Sequence, residues 1–373
     1  MSIDQTNVTG TGIIYRNPKP HVFSRHAYFP WIVGLENGDL IASFVTGEAF
    51  ESIDSDTCIS RSSDEGLTWS VPQSLLPAQY KNLSSNCARL TNMGNNELAA
   101  MVVRSRRESY PEEGLANPEN MGFVPTELLL IRSFDAGKSW TTPALIEPPL
   151  TGPSFEACSP IVLLKDGRWI WPTSTWRGWN GYSPNGMKMV ALVSHDQGKT
   201  WPEHMEVMDS NTEQIIYWEG KIVELSNGLF VAVSWVFDEK KGVDLKNHFT
   251  ISRDKGKTWT APASTNIQGQ TMALTELPDG RLLAVYRRTD KPGLWITTAR
   301  LTDDTWINED EFCLWGGIQE NKDAQKQENM VHEFNELKFG APCITILPDH
   351  TIFIAFWCYE KMVSNIRWFK LVV

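Results

Sequence analysis

Short apolar segments alternate with tight polar turns along the chain, and one arrangement of them occurs six times. In each copy an apolar segment of strand length runs into a turn, and a second apolar segment leaves it. The turns recur at intervals of roughly 50 to 70 residues, and they are centred on Gly38, Asn96, Gly167, Gly228, Gly280 and His350. This pattern predicts six β-hairpins.

A second repeat lies between the hairpins, an octapeptide of the form S-x-D-x-G-x-[ST]-W. Full copies occupy residues 62–69, 133–140, 194–201 and 252–259, and a weaker copy occupies 302–306. In this pattern the Asp side chain accepts backbone N–H groups of a tight turn, Gly takes a positive φ, and Trp packs beneath. We interpret the octapeptide as a structural turn and not as a catalytic site.

Each hairpin is followed by a third strand and, in most copies, by the octapeptide and a fourth strand. Four antiparallel strands repeated six times predict an all-β fold, a six-bladed β-propeller. The last blade lacks a fourth strand, and residues 12–15 are expected to supply it and close the ring. Residues 1–373 then form one domain. The polar segment 321–338 has helical character and predicts an insertion on the pocket face, either a lid carrying His332 and Glu333 or a solvated surface helix.

The composition of the chain limits the kinds of molecule that the protein is expected to bind. The net charge of -11 argues against nucleic acid and anionic membranes, whose binding needs clustered Lys and Arg. Nothing approaches the roughly 20 apolar residues of a membrane span, and the N-terminus shows no export signal. We therefore expect a cytoplasmic protein, or a periplasmic or secreted one if a signal was removed. The cysteines form no CxxC pair and no HExxH occurs, so neither a metal nor another cofactor is expected. The sequence does not fix the oligomeric state.

The topology places a pocket on the propeller axis. Because the hairpin turns share one face, the starts of first strands and the ends of second strands meet on the other. Counting about ten residues from each turn selects a first-strand set of His26, Tyr28, Asn86, Glu156, Trp218, Glu219, Gln270 and Gly340. The second-strand set is Glu48, Arg104, Arg106, Trp176, Arg177, Trp235, Arg287, Arg288 and Tyr359. Carboxylates, arginines and tryptophans together are typical of a sugar site, so an oligosaccharide or glycoside is the expected ligand.

The octapeptides resemble the Asp boxes, or BNR repeats, of the sialidase superfamily. The resemblance covers nearly the whole chain and implies a six-bladed propeller with a carbohydrate site on its axis. Residues 27–30, Ala-Tyr-Phe-Pro, match the first-blade motif Y-R-I-P, with Tyr28 where the family has a substrate-binding Arg. Residues 219–228 match a fourth-blade motif in which Glu219 resembles the catalytic Glu, and Trp235 stands at the position of a second Arg.

Further family positions differ as well. The fifth-blade Arg has only Arg287, Arg288 and Lys291 nearby, and the nucleophilic Tyr position falls at Gly340 or Ala341. A bidentate Arg contact to a carboxylate contributes on the order of 1.5 to 3 kcal/mol. Its loss predicts a substrate other than sialic acid.

Glu156 and Glu219 begin adjacent blades and form the predicted catalytic pair of an exo-acting glycoside hydrolase. Exo-arabinanases on similar propellers use a Glu pair in this manner, and the chain resembles them in that respect. Glu51 and Asp54 belong to the first-blade loop from which the sialidase proton donor comes, and they are reserve acids.

Three alternatives stay open. His26, with Arg25, Arg106 or Arg288, predicts a polysaccharide lyase or a His-dependent glycosidase acting on uronate or rhamnose glycans. A sialidase proper is the second alternative. The third is a non-catalytic glycan-binding propeller, which would keep the tryptophans and arginines but need no acid pair.

Overall fold

The computed structural model describes residues 2–316 and 337–373. The proposed insertion at 321–338, with His332 and Glu333, lies outside the described residues except for its last two positions. The described chain is all-β: six antiparallel sheets form the six predicted blades. The six predicted hairpin turns are confirmed, since the residue at the centre of each has a positive φ between 64° and 89°.

The first three blades follow one another along the chain. Blade 1 comprises β2 (His26–Gly34), β3 (Leu40–Gly47), β4 (Asp56–Ser62) and β5 (Gln73–Ser74). Blade 2 comprises β6 (Ser84–Gly94), β7 (Glu97–Arg106), β8 (Thr126–Ser133) and β9 (Ala144–Ile146). In blade 3 the first strand is split into β10 (Ser154–Phe155) and β11 (Val162–Leu163), followed by β12 (Trp169–Trp176), β13 (Met189–Ser194) and β14 (Glu203–Met208).

The last three blades complete the ring. Blade 4 comprises β15 (Ile215–Glu224), β16 (Phe230–Asp238), β17 (Val243–Ser252) and β18 (Ala263–Ser264). Blade 5 comprises β19 (Gly269–Glu276), β20 (Leu282–Arg288), β21 (Leu294–Thr302) and β22 (Thr305–Trp315). Blade 6 comprises β23 (Phe339–Ile346), β24 (Ile352–Glu360), β25 (Val363–Leu371) and, from the other terminus, β1 (Val8–Tyr15).

The N-terminal strand closes the ring, as the sequence predicts. β1 pairs antiparallel with β25 and forms the outer edge of blade 6. Gly12 lies opposite Trp368, and a Cβ atom at Gly12 would come within 2.7 Å of the indole ring. Only glycine therefore allows the strand to approach β25 at this point.

The octapeptides form the predicted turns. In the first copy Asp64 accepts hydrogen bonds from the backbone N–H and the hydroxyl group of Thr68, and the Trp69 indole donates to the Gly66 carbonyl at 3.0 Å. The same Asp contacts occur at Asp135, Asp196 and Asp254. These hydrogen bonds lower the pKa of each carboxyl group to about 2.

The hydrophobic core consists of seams between neighbouring blades. One cluster joins blades 6 and 1 through Tyr28, Phe44 and Trp357, and comparable clusters lie at the other interfaces. Second strands such as β3, β12 and β16 are buried along their whole length, because each is covered on both faces by adjacent blades. No helix within the described ranges is long and apolar enough to cross a membrane.

Candidate active site

Four of the first strands contain a β-bulge near the axis. In β2, β15, β19 and β23 the pairing register shifts around Phe29, Glu219, Thr271 and Ala341, whose φ angles are 52°, 50°, 52° and 46°. A bulge turns the following side chain toward a new direction. All four of these residues line the axial pocket, whereas the preceding residues Tyr28, Trp218, Gln270 and Gly340 do not.

Aromatic rings make up much of the pocket wall. They come from strands and loops of five blades and comprise Phe29, Trp31, Phe50, Phe123, Phe155, Trp176, Trp235 and Trp357. Two predicted tryptophans are fixed by their indole N–H groups, since Trp176 donates to the Met121 carbonyl and Trp235 to Asp244, both at 2.7 Å. Their rings offer apolar faces to a ligand, as a sugar-stacking surface requires.

Glu156 and Glu219 meet on one side of the pocket. Glu156 follows β10, and its Oε2 accepts a hydrogen bond from the backbone N–H of Glu219 at 2.8 Å. Both carboxyl groups are half-buried in the pocket wall. Burial raises the pKa of Glu156 to about 8, and the neighbouring negative charge of Glu219 adds to this rise. The structure therefore brings the predicted pair together.

Three cations lie around Glu219. Burial raises the pKa of Glu219, and the positive charges of Lys221, Arg287 and Arg89 oppose that rise. Lys221 donates to the Glu219 carbonyl at 3.0 Å, and Arg89 donates to the Phe29 carbonyl at 2.8 Å. Within the described part of the chain neither Lys221 nor Arg89 forms an ion pair, and the Arg89 Nε has no hydrogen-bond partner. These nearly buried charges therefore act on the pocket itself.

Glu51 approaches the pocket from blade 1. Its Oε2 accepts a hydrogen bond from the Leu115 backbone N–H at 2.9 Å. Burial raises the pKa of Glu51 to about 7, although this hydrogen bond and the charge of Arg107 oppose the rise. In a six-bladed ring blade 1 stands opposite blade 4, so Glu51 faces the site from the side opposite Glu219.

Asn86 lines the pocket, but its side chain forms hydrogen bonds that hold the fold together. Its amide oxygen accepts the Thr57 backbone N–H at 2.9 Å, and its amide nitrogen donates to Asp56 at 3.1 Å. Asn86 thus joins blades 1 and 2.

Several predicted residues form contacts away from the axial pocket. Arg25 and Asp54 pair at 2.9 Å on the rim, close to the exposed Glu48. His26 and Arg25 line a separate depression beside residues 17–24, and the Nδ1 of His26 accepts the Ser364 backbone N–H at 3.2 Å. Burial lowers the pKa of His26. The expectation that these residues line the axis is corrected here, because Glu48 and Asp54 lie on the loop after β3, and Arg25 and His26 lie at the entry to β2 beside residues 17–24.

Four of the arginines expected at second-strand ends form ion pairs with nearby acids, whereas Arg287 lines the pocket. Arg106 pairs with Glu127 at 2.7 Å, Arg177 pairs with Glu239 at 2.7 Å, and Arg288 pairs with Asp290 at 2.6 Å. Arg104 likewise pairs with Glu127. They do not line the pocket, because side chains alternate along a strand and their neighbours Val103, Ser105, Trp176 and Arg287 face the axis instead.

The remaining predicted residues are buried behind the bulges. The Tyr28 and Tyr359 hydroxyl groups form a hydrogen bond of 2.8 Å, and Trp218 stacks on Trp176 with ring centres 5.1 Å apart. Tyr28 and Trp218 are fully buried. Gln270 accepts a hydrogen bond from the Arg287 Nε at 3.0 Å and so orients that guanidinium group. These residues shape the pocket from behind.

Four residues line the pocket without being expected from the sequence: Phe29, Arg89, Lys221 and Thr271. One of them follows a simple rule, because side chains on one face of a strand alternate. Lys221 is two residues after Glu219, and Arg89 is two residues after the pocket residue Cys87. That alternation could have found Arg89, where β6 pairs regularly with β7, but it does not hold for Lys221, because the bulge at Glu219 interrupts it. Among the described residues no group of three His, Cys, Asp or Glu side chains could hold a metal ion.

Comparison with known proteins agrees with this architecture. Residues 38–308 match the family described as BNR repeat-like domain. A sialidase from Bacteroides fragilis is 23% identical over 326 residues, covering 83% of this chain and 55% of that protein. The chain therefore spans about half the length of this curated relative.

Solved structures share the fold at low sequence identity. A protein of unknown function from Dyadobacter fermentans superimposes with a TM-score of 0.73 at 20% identity, covering 98% of each chain. The intramolecular trans-sialidase from Ruminococcus gnavus gives 0.66 at 15% identity over 99% of each chain. Trypanosoma rangeli sialidase in complex with sialic acid gives 0.63 at 16% identity, covering 93% of this chain and 54% of that one. The chain belongs to the BNR repeat-like domain family and has the six-bladed, sialidase-like propeller fold.

Proposed function

We propose that the protein is a glycoside hydrolase that removes a terminal sugar bound in the axial pocket. The observation that carries this proposal is the contact between Glu156 and Glu219, which brings two carboxyl groups to one aromatic-lined site. Paired carboxyl groups are the catalytic groups of most glycosidases, and stacked rings are a common way to hold a sugar.

The surroundings of the two acids support different roles for them. Glu219 faces Lys221, Arg287 and Arg89, which favour its ionised form, whereas Glu156 faces the negative charge of Glu219. Glu219 therefore loses its proton first, and Glu156 keeps its proton near neutral pH. A pair of acids whose environments separate their pKa values is suited to combined acid and base chemistry.

The proposed reaction follows from these roles. Glu156 donates its proton to the glycosidic oxygen while the Glu219 carboxylate attacks the anomeric carbon, and the leaving alcohol departs with that proton. Glu156, now ionised, takes a proton from water, and the resulting hydroxide displaces Glu219 to release the sugar. The hydrogen bond between Glu156 and the Glu219 backbone keeps both residues on the same side of the pocket.

The acid variants test this assignment. We expect E219Q to lower kcat on aryl glycosides by about 10²- to 10⁴-fold with the fold unchanged. E156Q should lose as much on a phenyl glycoside but far less on a dinitrophenyl glycoside, whose leaving group needs no proton. E203Q, which changes an exposed acid on β14, is the matched control. Unchanged turnover in E219Q would exclude the proposed nucleophile.

Glu51 is the reserve proton donor. If E51Q, rather than E156Q, shows the dependence on the leaving group, Glu51 is the acid and Glu156 supports Glu219. The two variants are measured on the same pair of substrates, so the comparison identifies the donor directly.

The substrate is proposed to be a sugar other than sialic acid. Where sialidases carry binding arginines, this chain has the buried Tyr28 and Trp235, whose indole is bonded to Asp244. A panel of aryl glycosides that includes sialosides and arabinofuranosides tests this statement. Turnover of the sialoside would contradict it.

A second candidate function is a lyase acting on uronate polymers. Arg89 and Lys221 favour it, because two nearly buried cations without an ion pair among the described residues suit an acidic sugar. His26, the base expected from the sequence, lies in the separate depression. An ultraviolet assay for the unsaturated product distinguishes elimination from hydrolysis. Glycan binding without turnover of any kind would indicate a non-catalytic propeller.

A further inference from the structure

Arg107 is almost completely buried between two loops at the pocket mouth. We name them the blade 1 loop, residues 48–55, and the blade 2 loop, residues 107–125. The Arg107 side chain is 1% exposed and donates hydrogen bonds to the carbonyl groups of Glu51, at 3.0 Å, and of Glu113. Its own backbone N–H donates to the Leu83 carbonyl at 2.8 Å. One guanidinium group thus holds both loops.

The blade 2 loop also fixes the direction of the Glu51 side chain. The Leu115 backbone N–H binds Oε2 of Glu51 at 2.9 Å, and a Cβ atom at Gly114 would lie 2.5 Å from the same oxygen. Glu51 and Leu115 both line the pocket. The position of the carboxyl group therefore depends on the path of the neighbouring blade's loop.

Burying a guanidinium group is costly unless its hydrogen bonds are satisfied. In the described ranges Arg107 forms no ion pair, and its hydrogen bonds go to backbone carbonyl groups. Lysine cannot reproduce this planar set of donors. The contacts specify where the two loops lie.

We propose that Arg107 is a positioning residue, which ties the blade 1 loop to the blade 2 loop so that the Glu51 carboxyl group contacts the bound sugar opposite Glu219. This inference rests on the proposed function for its kinetic consequence. Glu51 holds the sugar ring against the Glu156 and Glu219 wall, and Arg107 acts only through Glu51.

A double-mutant cycle tests the coupling. We expect E51Q and R107M each to lower kcat/KM by about 10- to 100-fold, the effect of losing one hydrogen bond to a charged group. The double variant R107M/E51Q should lose no more than E51Q alone, because both changes remove the same contact. R107K should recover a small part of the loss. Losses that multiply in the double variant would overturn the proposal.

R281M is the matched control. Arg281 is another buried arginine, immediately before β20 in blade 5, and it pairs with Asp279 at 2.7 Å and Asp310 at 3.1 Å. Its removal should lower the melting temperature while kcat/KM of the folded protein stays unchanged. An equal kinetic loss in R281M would show that R107M acts through general destabilisation, and the proposal would fail.

A measurement without turnover separates this inference from the proposed function. The Glu51 carboxyl group can be titrated by 13C NMR and assigned with E51Q. Arg107 is the cation that lowers the Glu51 pKa, and the pocket also holds Glu156, Glu219, Arg89, Lys221 and Arg287. We expect R107M to raise the Glu51 pKa above about 7. If R107M leaves the Glu51 pKa unchanged, the proposed role of Arg107 is wrong, even if the enzyme is active.

Gly114→Ala provides a second variant in case R107M does not fold. The added methyl group should displace the Glu51 carboxyl group while Arg107 stays in place. We expect the kinetic loss of E51Q with little loss of stability. If the wild-type protein turns over no glycoside, the proposed function fails, and the NMR titration of G114A still tests the inference. The added methyl group should break the hydrogen bond from Leu115 and raise the Glu51 pKa, and an unchanged pKa would overturn the inference.

Discussion

At the residue scale, charges placed two positions apart on a strand set the chemistry of the pocket. Lys221 lies two residues after Glu219 on β15 and opposes the rise in the Glu219 pKa that burial causes. Removing this charge in K221M should raise the Glu219 pKa. The acidic limb of the kcat/KM profile should then move to higher pH. K257M, which removes an exposed lysine of the fourth-blade octapeptide, should leave the profile in place, and an unmoved limb in K221M would contradict the assignment of Glu219.

The Glu156 carboxyl group also links stability to pH. Its pKa is raised from 4.5 to about 8 in the folded protein. The folded state therefore binds this proton more tightly than the unfolded state, and stability falls as pH rises between these values. E156Q should avoid this loss and gain on the order of 1–3 kcal/mol over the wild type at pH 8.5, with little gain near pH 5. Denaturant titrations at both pH values measure the free energy of unfolding of E156Q and the wild type. A gain that is the same at both pH values would contradict the raised pKa of Glu156.

At the element scale, the bulges in β2, β15, β19 and β23 decide which side chains face the axis. The hairpins and the octapeptides could be predicted from sequence because each repeats a periodic pattern with a definite turn. The bulges could not be predicted, since a single extra residue shifts the alternation of side chains along the strand without changing the hydrophobic pattern of the surrounding sequence. Counting from the turns therefore selects Tyr28 and Gln270 instead of Phe29 and Thr271, and it selects Trp218 together with Glu219. The prediction of Glu156 and Glu219 as a pair did not depend on the bulge, because counting residues from the hairpin turn selects both Trp218 and Glu219.

The bulges also carry backbone strain that a variant can reveal. Ala341 adopts a left-handed φ of 46°, which glycine tolerates better than any residue with a Cβ. We expect A341G to stabilise the protein by up to about 1 kcal/mol. A355G, in the regular and buried part of β24, should instead cost about 1 kcal/mol. Equal destabilisation by both, measured by chemical denaturation, would contradict the strain.

At the scale of the whole molecule, six packed seams and one closing strand hold the ring. The propeller could be predicted because its repeats are local, and closure by the N-terminus followed from a missing fourth strand. The contacts that position Glu51 and Arg107 could not be predicted from the sequence, because they join loops of different blades and these loops are not part of any repeat.

Removing residues 2–15 should open blade 6. The edge of β25 would then be exposed, and an unpaired edge invites association with other chains. We expect the truncated chain to aggregate or to unfold at lower temperature, as size-exclusion chromatography and thermal melts would show. A synthetic peptide of residues 2–15 should restore the native elution by adding the missing strand. A truncated chain that stays monomeric with an unchanged melting curve would contradict this role.

The pairing of β1 with β25 has a consequence for biosynthesis. The strand β1 is synthesised before all six hairpins and finds its partner only after β25 has emerged from the ribosome. At ordinary rates of translation the N-terminal segment waits roughly 20 to 70 seconds. During that time five blades can assemble in order. Closure of the ring is therefore the last step in assembling the propeller, and until β25 is available β1 stays an unpaired strand that can associate with other chains.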